Sequence, residues 1–164
     1  MNTKRLTRMG LLTALALIIF MVEAQLPALA PIPGIKLGLA NIITVYAMFC
    51  MGPLDTLMIL LGRILLGAVF AGQLMTLFYS LNGGLLCYLL MLVLRRIVTD
   101  RQIWVCSVLG AVAHNIGQIT AAIYIVRTPA LIVYLPVLMV SGIIAGLFTG
   151  LCAQFVVKRM RLLQ

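Results

Sequence analysis

A chain of 164 residues that is 64% hydrophobic and 9% charged is far from a water-soluble domain, which usually carries about 25% charged residues. A mean hydropathy of +1.21 cannot be hidden in a core this small, because a chain of this length keeps much of its surface exposed. The solvent of most of this chain is therefore lipid. The net charge of +9 does not mark a nucleic-acid binder, because the basic residues fall in short runs between apolar stretches, the pattern that orients membrane helices.

A spanning helix needs roughly 20 apolar residues. On that measure the sequence predicts an all-α membrane protein with six transmembrane helices, over about 9–26, 38–52, 54–72, 74–94, 102–126 and 130–156. The second is short and is expected to start inside the membrane. Connections are short, so neighbours pack as antiparallel hairpins and residues 1–164 form one domain. The first stretch, "MNTKRLTR" with an apolar run and "ALA" at 28–30, has the outline of a secretory signal. Pro31 after the cut, Glu23 and Gln25 before it, and five further spans argue for a retained helix.

Six spans place both termini on one side. That side collects Lys4, Arg5, Arg8, Arg95, Arg96, Arg101, Lys158, Arg159 and Arg161, and the other holds Lys36 and Arg127. Nine basic residues against two predict cytoplasmic termini and a location in the plasma membrane.

Between the first two spans, "PALAPIPGIKLG" (27–38) has three prolines and cannot form a regular helix. It is either a plain outer loop or a segment folded back as a lid. Small residues recur at spacing four: Gly142, Gly146 and Gly150 in the last span, Ala113, Gly117 and Ala121 in the fifth, and Gly10 and Ala14 in the first. Such stripes let helix backbones approach closely in lipid. The cysteines Cys50, Cys87, Cys106 and Cys152 form no CxxC pair and read as small apolar residues.

The polar residues inside the spans are the informative ones. In "GAVAHNIGQITAA" (110–122), His114 and Gln118 lie one helical turn apart, with Asn115 beside them and Ser107 two turns away. Arg63 falls near the centre of the third span, Asn82 near the centre of the fourth, Glu23 in the outer part of the first, and Asn41 at the start of the second beside Lys36. A charge at mid-membrane costs at least about 2.5 kcal/mol, so Arg63 needs a partner or water. Either it pairs with Glu23, or Arg63, Lys36 and His114 supply the positive and donor groups of an outward-opening pocket. Candidate substrate-binding residues are Glu23, Lys36, Asn41, Arg63, Asn82, His114, Asn115 and Gln118.

Catalysis by this chain alone is not expected. Asp55 and Asp100 are far apart, so no Asp-rich motif exists to hold diphosphate through Mg²⁺. HExxH, GxSxG and P-loop motifs are absent, and neither a metal centre nor another cofactor is expected.

"IPGIKLGLANIITVYAMF" (32–49), "YSLNGGLLCYLLM" (79–91) and "GAVAHNIGQI" (110–119) carry a resemblance. Over about residues 8–157 the chain resembles the bacterial Gx transporter family, also called heptaprenyl diphosphate synthase component I. That family is similar to the substrate-binding S components of energy-coupling factor (ECF) transporters. The resemblance implies an S-component-like six-helix bundle with a pocket open to the outside, an ECF-type membrane subunit and two ATPases as partners, and a docking face of small residues on the first helix, where Gly10 and Ala14 loosely match. The expected function is binding of a small polar or anionic solute for uptake. The synthase name implies instead an accessory membrane role beside a separate catalytic prenyl synthase subunit. The polar cluster would also suit an assembly protein whose helices it locks together, or an autonomous proton-coupled carrier with His114 and Glu23 as its titrating groups.

Overall fold

The computed structural model describes residues 3–25, 38–72 and 74–162. Six α-helices account for most of them: α1 (Thr3–Glu23), α2 (Asn41–Cys50), α3 (Pro53–Ala71), α4 (Leu74–Leu94), α5 (Ile103–Val126) and α6 (Leu135–Arg161). Five are long and apolar enough to cross a membrane. At 1.5 Å per residue α2 rises only about 15 Å, half of a hydrocarbon core of about 30 Å.

The boundaries depart most from the sequence-based spans at the start of α1 and at both ends of α6, and by no more than three residues elsewhere. The first helix starts six residues earlier than expected, because its basic first turns are held: Arg5 Nε lies 2.9 and 3.0 Å from the two carboxylate oxygens of Asp55, and Arg5 Nη2 lies 2.6 Å from Oδ1. Asp55 itself sits in the first turn of α3, where a helix dipole favours an anion. The last helix begins at Leu135 rather than 130, after a 3₁₀ turn over Pro129–Tyr134. Pro136 lies in the first turn of α6, the place where a missing N–H removes no helical bond. The same helix runs on to Arg161, its final turn carrying Lys158, Arg159 and Arg161 against the negative end of the dipole.

The centre of the bundle is α5, which packs against α4 on one side and α6 on the other. Close approach at both seams depends on glycine. A Cβ at Gly117 would lie 2.7 Å from the Asn82 carbonyl oxygen, and one at Gly83 would lie 2.7 Å from the His114 carbonyl oxygen. Across the other seam, a Cβ at Gly146 would lie 2.8 Å from Val108 Cα, and one at Gly150 would lie 2.7 Å from Trp104 Cα. These stripes are intramolecular packing faces, as the spacing predicts. Gly10 and Ala14 differ: both are exposed, and a Cβ at Gly10 would meet nothing within 4 Å.

Arg5, Arg8, Asp55, Asp100 and Arg161 collect at one end of the bundle, the basic end. Above it an apolar layer is built from Val45, Met48, Leu60, Met91, Ile103 and Val157. Toward the far end, Tyr79, Ile119, Ala122 and Leu138 form a second apolar layer. The polar residues of α2, α3 and α5 lie between the two. Leu11, Ile18, Leu65, Phe70, Leu89, Phe148 and Phe155 are exposed on the outer faces, which is expected only where lipid covers them. Cys87 and Cys106 are buried, Cys152 is half-buried and Cys50 is exposed, all as free thiols.

Candidate functional site

The polar layer is assembled around the start of α2. Gly38 holds φ at 81°, a region that L side chains rarely adopt, and this turn feeds the chain into α2 at mid-bundle depth. Its N–H donates to Glu23 Oε1 at 2.5 Å, which ties the end of α1 to the start of α2. A Cβ at Gly38 would sit 2.9 Å from Asn41 Nδ2 and 3.3 Å from His114 Cδ2, so Asn41 and the imidazole both lie against this turn. The other side of the ring faces α4, where a Cβ at Gly83 would be 3.1 Å from His114 Cε1 and 2.8 Å from Gln118 Cγ. Arg63, from the middle of α3, is electrostatically coupled to both Glu23 and His114.

Glu23, Asn41, Arg63, His114 and Gln118 are each no more than 4% exposed. Asn41 Nδ2 and Oδ1, Arg63 Nε and Nη2, His114 Nδ1 and Gln118 Oε1 nevertheless find no hydrogen-bond partner. Buried polar atoms are paired in the great majority of cases, and each orphan costs about 1–3 kcal/mol. Two of these side chains, Asn41 and His114, meet the Gly38 turn, Gln118 meets α4 at Gly83, and together with Arg63 they leave the layer with six unused hydrogen-bonding atoms. The set contains donors (the guanidinium nitrogens and the Asn41 amide) and acceptors (the two amide oxygens), with His114 able to serve as either. Such a site complements a molecule that carries both acceptor and donor groups, with negative charge favoured next to Arg63.

The remaining candidates fall elsewhere. Asn115 is fully buried but faces α6, where its amide nitrogen donates to the Leu138 carbonyl and its Oδ1 is unpartnered. Ser107 is on the same seam, its hydroxyl 3.1 Å from that of Thr149. Asn82 is exposed on α4, its amide donating to the Phe78 carbonyl one turn back at 3.0 Å. Lys36, and all but the last residue of the proline-rich segment 27–38, lie outside the described residues. Gly38 and Gly83 both shape the site without standing out as candidates in the sequence. Gly83 carries a signal, a glycine directly after a polar residue of a span in "LNGG", whereas Gly38 in "KLGLAN" lies between two leucines and carries none.

Two ion pairs tie the basic end, Arg5–Asp55 and Arg161–Asp100, and among the described residues no three His, Cys, Asp or Glu side chains converge as metal ligands. A family model matches residues 12–156, from the third turn of α1 to the last turns of α6. The chain belongs to the heptaprenyl diphosphate synthase component I family. The matched stretch takes in every residue of the polar layer and leaves out Arg5 and Arg161. No curated protein and no solved structure matches the chain.

Proposed function

We propose that this chain is an accessory membrane component of heptaprenyl diphosphate synthesis, non-catalytic by itself, acting beside a separate catalytic prenyl synthase chain. Membership of the component I family carries this reading. The chemistry of the carboxylates agrees with it. Holding a diphosphate through Mg²⁺ requires carboxylates free to ligate. The chain has three acidic residues; Asp55 binds Arg5, Asp100 binds Arg161 and Glu23 accepts the Gly38 N–H. Chain elongation therefore belongs to a partner, and this chain contributes a membrane site for it. In a strain lacking the chain, heptaprenyl-length products in lipid extracts are expected to fall, and a prenyl synthase is expected to co-purify with a tagged copy. Unchanged product lengths would remove this reading.

A second reading rests on a different observation, the six orphaned atoms of the polar layer. In it the chain is a solute-binding subunit of S-component-like fold, with both termini in the cytoplasm of a plasma-membrane protein and the polar layer reached from outside. Glu23, Asn41, Arg63, His114 and Gln118 contact the solute, and an ECF-type membrane subunit with its ATPases drives uptake. Mass spectrometry of small molecules released from the denatured protein tests it. A polar or anionic compound present in the native chain and lost in Arg63→Leu favours this reading. Release of no such compound from a folded native chain removes it.

A further inference from the structure

The basic end of the bundle carries a second site, unrelated to the polar layer. Among the described residues α1 packs against α3 and α2 but not against α6. The last turns of α2 lie between α1 and α6, and a crevice of about 450 Å³ remains there. That volume is within the usual range of ligand pockets, about 300–1,000 Å³. Leu12, Phe49 and Met160 give the crevice apolar walls, and Arg8 and Arg161 stand at its polar side. A second hollow adjoins it, shares Arg8, Cys50 and Met51, and adds Lys4, Arg5 and Asp55.

The charges at this end are not balanced. Lys4, Arg5, Arg8 and Arg161 face Asp55 and Asp100, and each aspartate is already held by one arginine. Arg8 is exposed, and among the described residues it forms no hydrogen bond or ion pair. Its guanidinium lies within electrostatic reach of the Tyr46 hydroxyl at the crevice wall. An apolar crevice between two membrane helices with an unpartnered arginine at its mouth is complementary to a molecule with an anionic phosphate head and a hydrocarbon chain. The gap between α1 and α6 lets the chain of such a molecule run out into the bilayer.

We propose that the crevice between α1, α2 and α6 binds a phosphate-headed amphiphile, its phosphate on Arg8 and its first carbons against Leu12, Phe49 and Met160. This site is independent of which reading of the polar layer holds. An anionic phospholipid and an isoprenyl diphosphate share the required chemistry.

Cys50 supplies the test, because it lines both hollows and its thiol is exposed, whereas Cys87 and Cys106 are buried. The full chain, in mild detergent, is treated with a maleimide and the alkylation rate at Cys50 is read by mass spectrometry, with Cys152 as the internal control. Phosphatidylglycerol, phosphatidylcholine and farnesyl diphosphate are added in separate arms. Saturable protection of Cys50, at least five-fold, by phosphatidylglycerol or farnesyl diphosphate but not by phosphatidylcholine is expected. The arm that protects at the lower concentration identifies the source of the phosphate. Arg8→Gln is expected to raise the half-protecting concentration about ten-fold, with Cys50 alkylation in the absence of ligand unchanged. Equal protection by phosphatidylcholine, no protection by either anion, or protection that survives Arg8→Gln would overturn the proposal. Because the native chain alone reads the first two outcomes, a variant that fails to fold does not leave the site untested.

Discussion

Arg63 offers the sharpest test of the polar layer, through the paired substitution Arg63→Leu with Glu23→Gln. Arg63 is buried at the middle of α3, and its Nε and Nη2 have no partner. At about 1–3 kcal/mol per orphan, the unliganded site carries roughly 2–6 kcal/mol of uncompensated desolvation, less whatever the Glu23 charge restores. Leucine removes both orphans. Glutamine at position 23 removes the carboxylate charge that would otherwise lose its counter-charge, and keeps an oxygen for the Gly38 N–H. Replacing buried charges by apolar groups of similar volume is neutral to stabilising by about 1–4 kcal/mol, and the buried amide donor that glutamine brings to position 23 offsets part of that gain. For a domain of this size each kcal/mol moves the unfolding midpoint by about 2–4 °C. The ligand-free double variant is therefore expected to unfold a few degrees above the native chain, while losing any ligand dependence of the midpoint. The assay is thermal unfolding in detergent, read by the fluorescence of Trp104, the single tryptophan, and by exposure of the buried Cys87 and Cys106 thiols. A double variant that unfolds several degrees earlier would refute the reasoning and make Arg63 a structural lock.

The helix seams give contrasting expectations. Gly117→Ala pushes a methyl group to 2.7 Å from a backbone oxygen of α4 and should lower stability by about 1–3 kcal/mol in the same thermal assay. Gly10→Ala meets open space and should be neutral or stabilising by up to about 1 kcal/mol. Asn115→Leu removes one hydrogen bond from the Leu138 carbonyl, which keeps the Ser141 hydroxyl as a donor at 3.0 Å, and should cost about 0.5–1.5 kcal/mol, seen as a lower midpoint. Asp100→Asn removes an ion pair whose side chains are about half exposed, 49% and 51%, and should change stability by no more than about 1 kcal/mol, screened further by salt.

Depth along the membrane is readable from residue number, and facing is readable only where polar residues repeat at the helical period. His114 and Gln118, four apart, share a face, and the structure puts both against Gly83. Asn82 sits at the same depth one position away from Gly83, but a single residue carries no period. About 100° of rotation is enough to turn it to the outer surface. Asn115 shows the same limit: one residue past His114, it leaves the polar layer for the seam with α6. The small-residue stripes on α5 and α6 are legible because close approach has few other solutions in lipid. The Arg5–Asp55 pair is not, since it joins residues 50 apart that the sequence offers only as a flanking charge and a lone aspartate. The extension of α1 back to Thr3 follows from that pair and is hidden with it.

The short second helix explains why the polar groups sit where they do. A helix that crossed the whole bilayer would satisfy its own backbone and leave no reason for irregular chain at mid-depth. With α2 reduced to ten residues, its first turn lies beside the middle of α5, and the chain must enter it through a turn at Gly38. The N–H groups there are already used: those of Asn41, Ile42 and Ile43 donate three residues back, to Gly38, Leu39 and Ala40. The positive end of the α2 dipole therefore acts on the polar layer as a field rather than through free donors. Hydrogen bonding to any occupant falls to side chains, and the atoms left unpartnered are on Asn41, Arg63, His114 and Gln118. Shortening the helix and orphaning the polar groups are thus two consequences of one design. At the seam of α5 and α6, by contrast, Ser107 and Thr149 pair their hydroxyls with each other, and Asn115 leaves only its Oδ1 unpartnered.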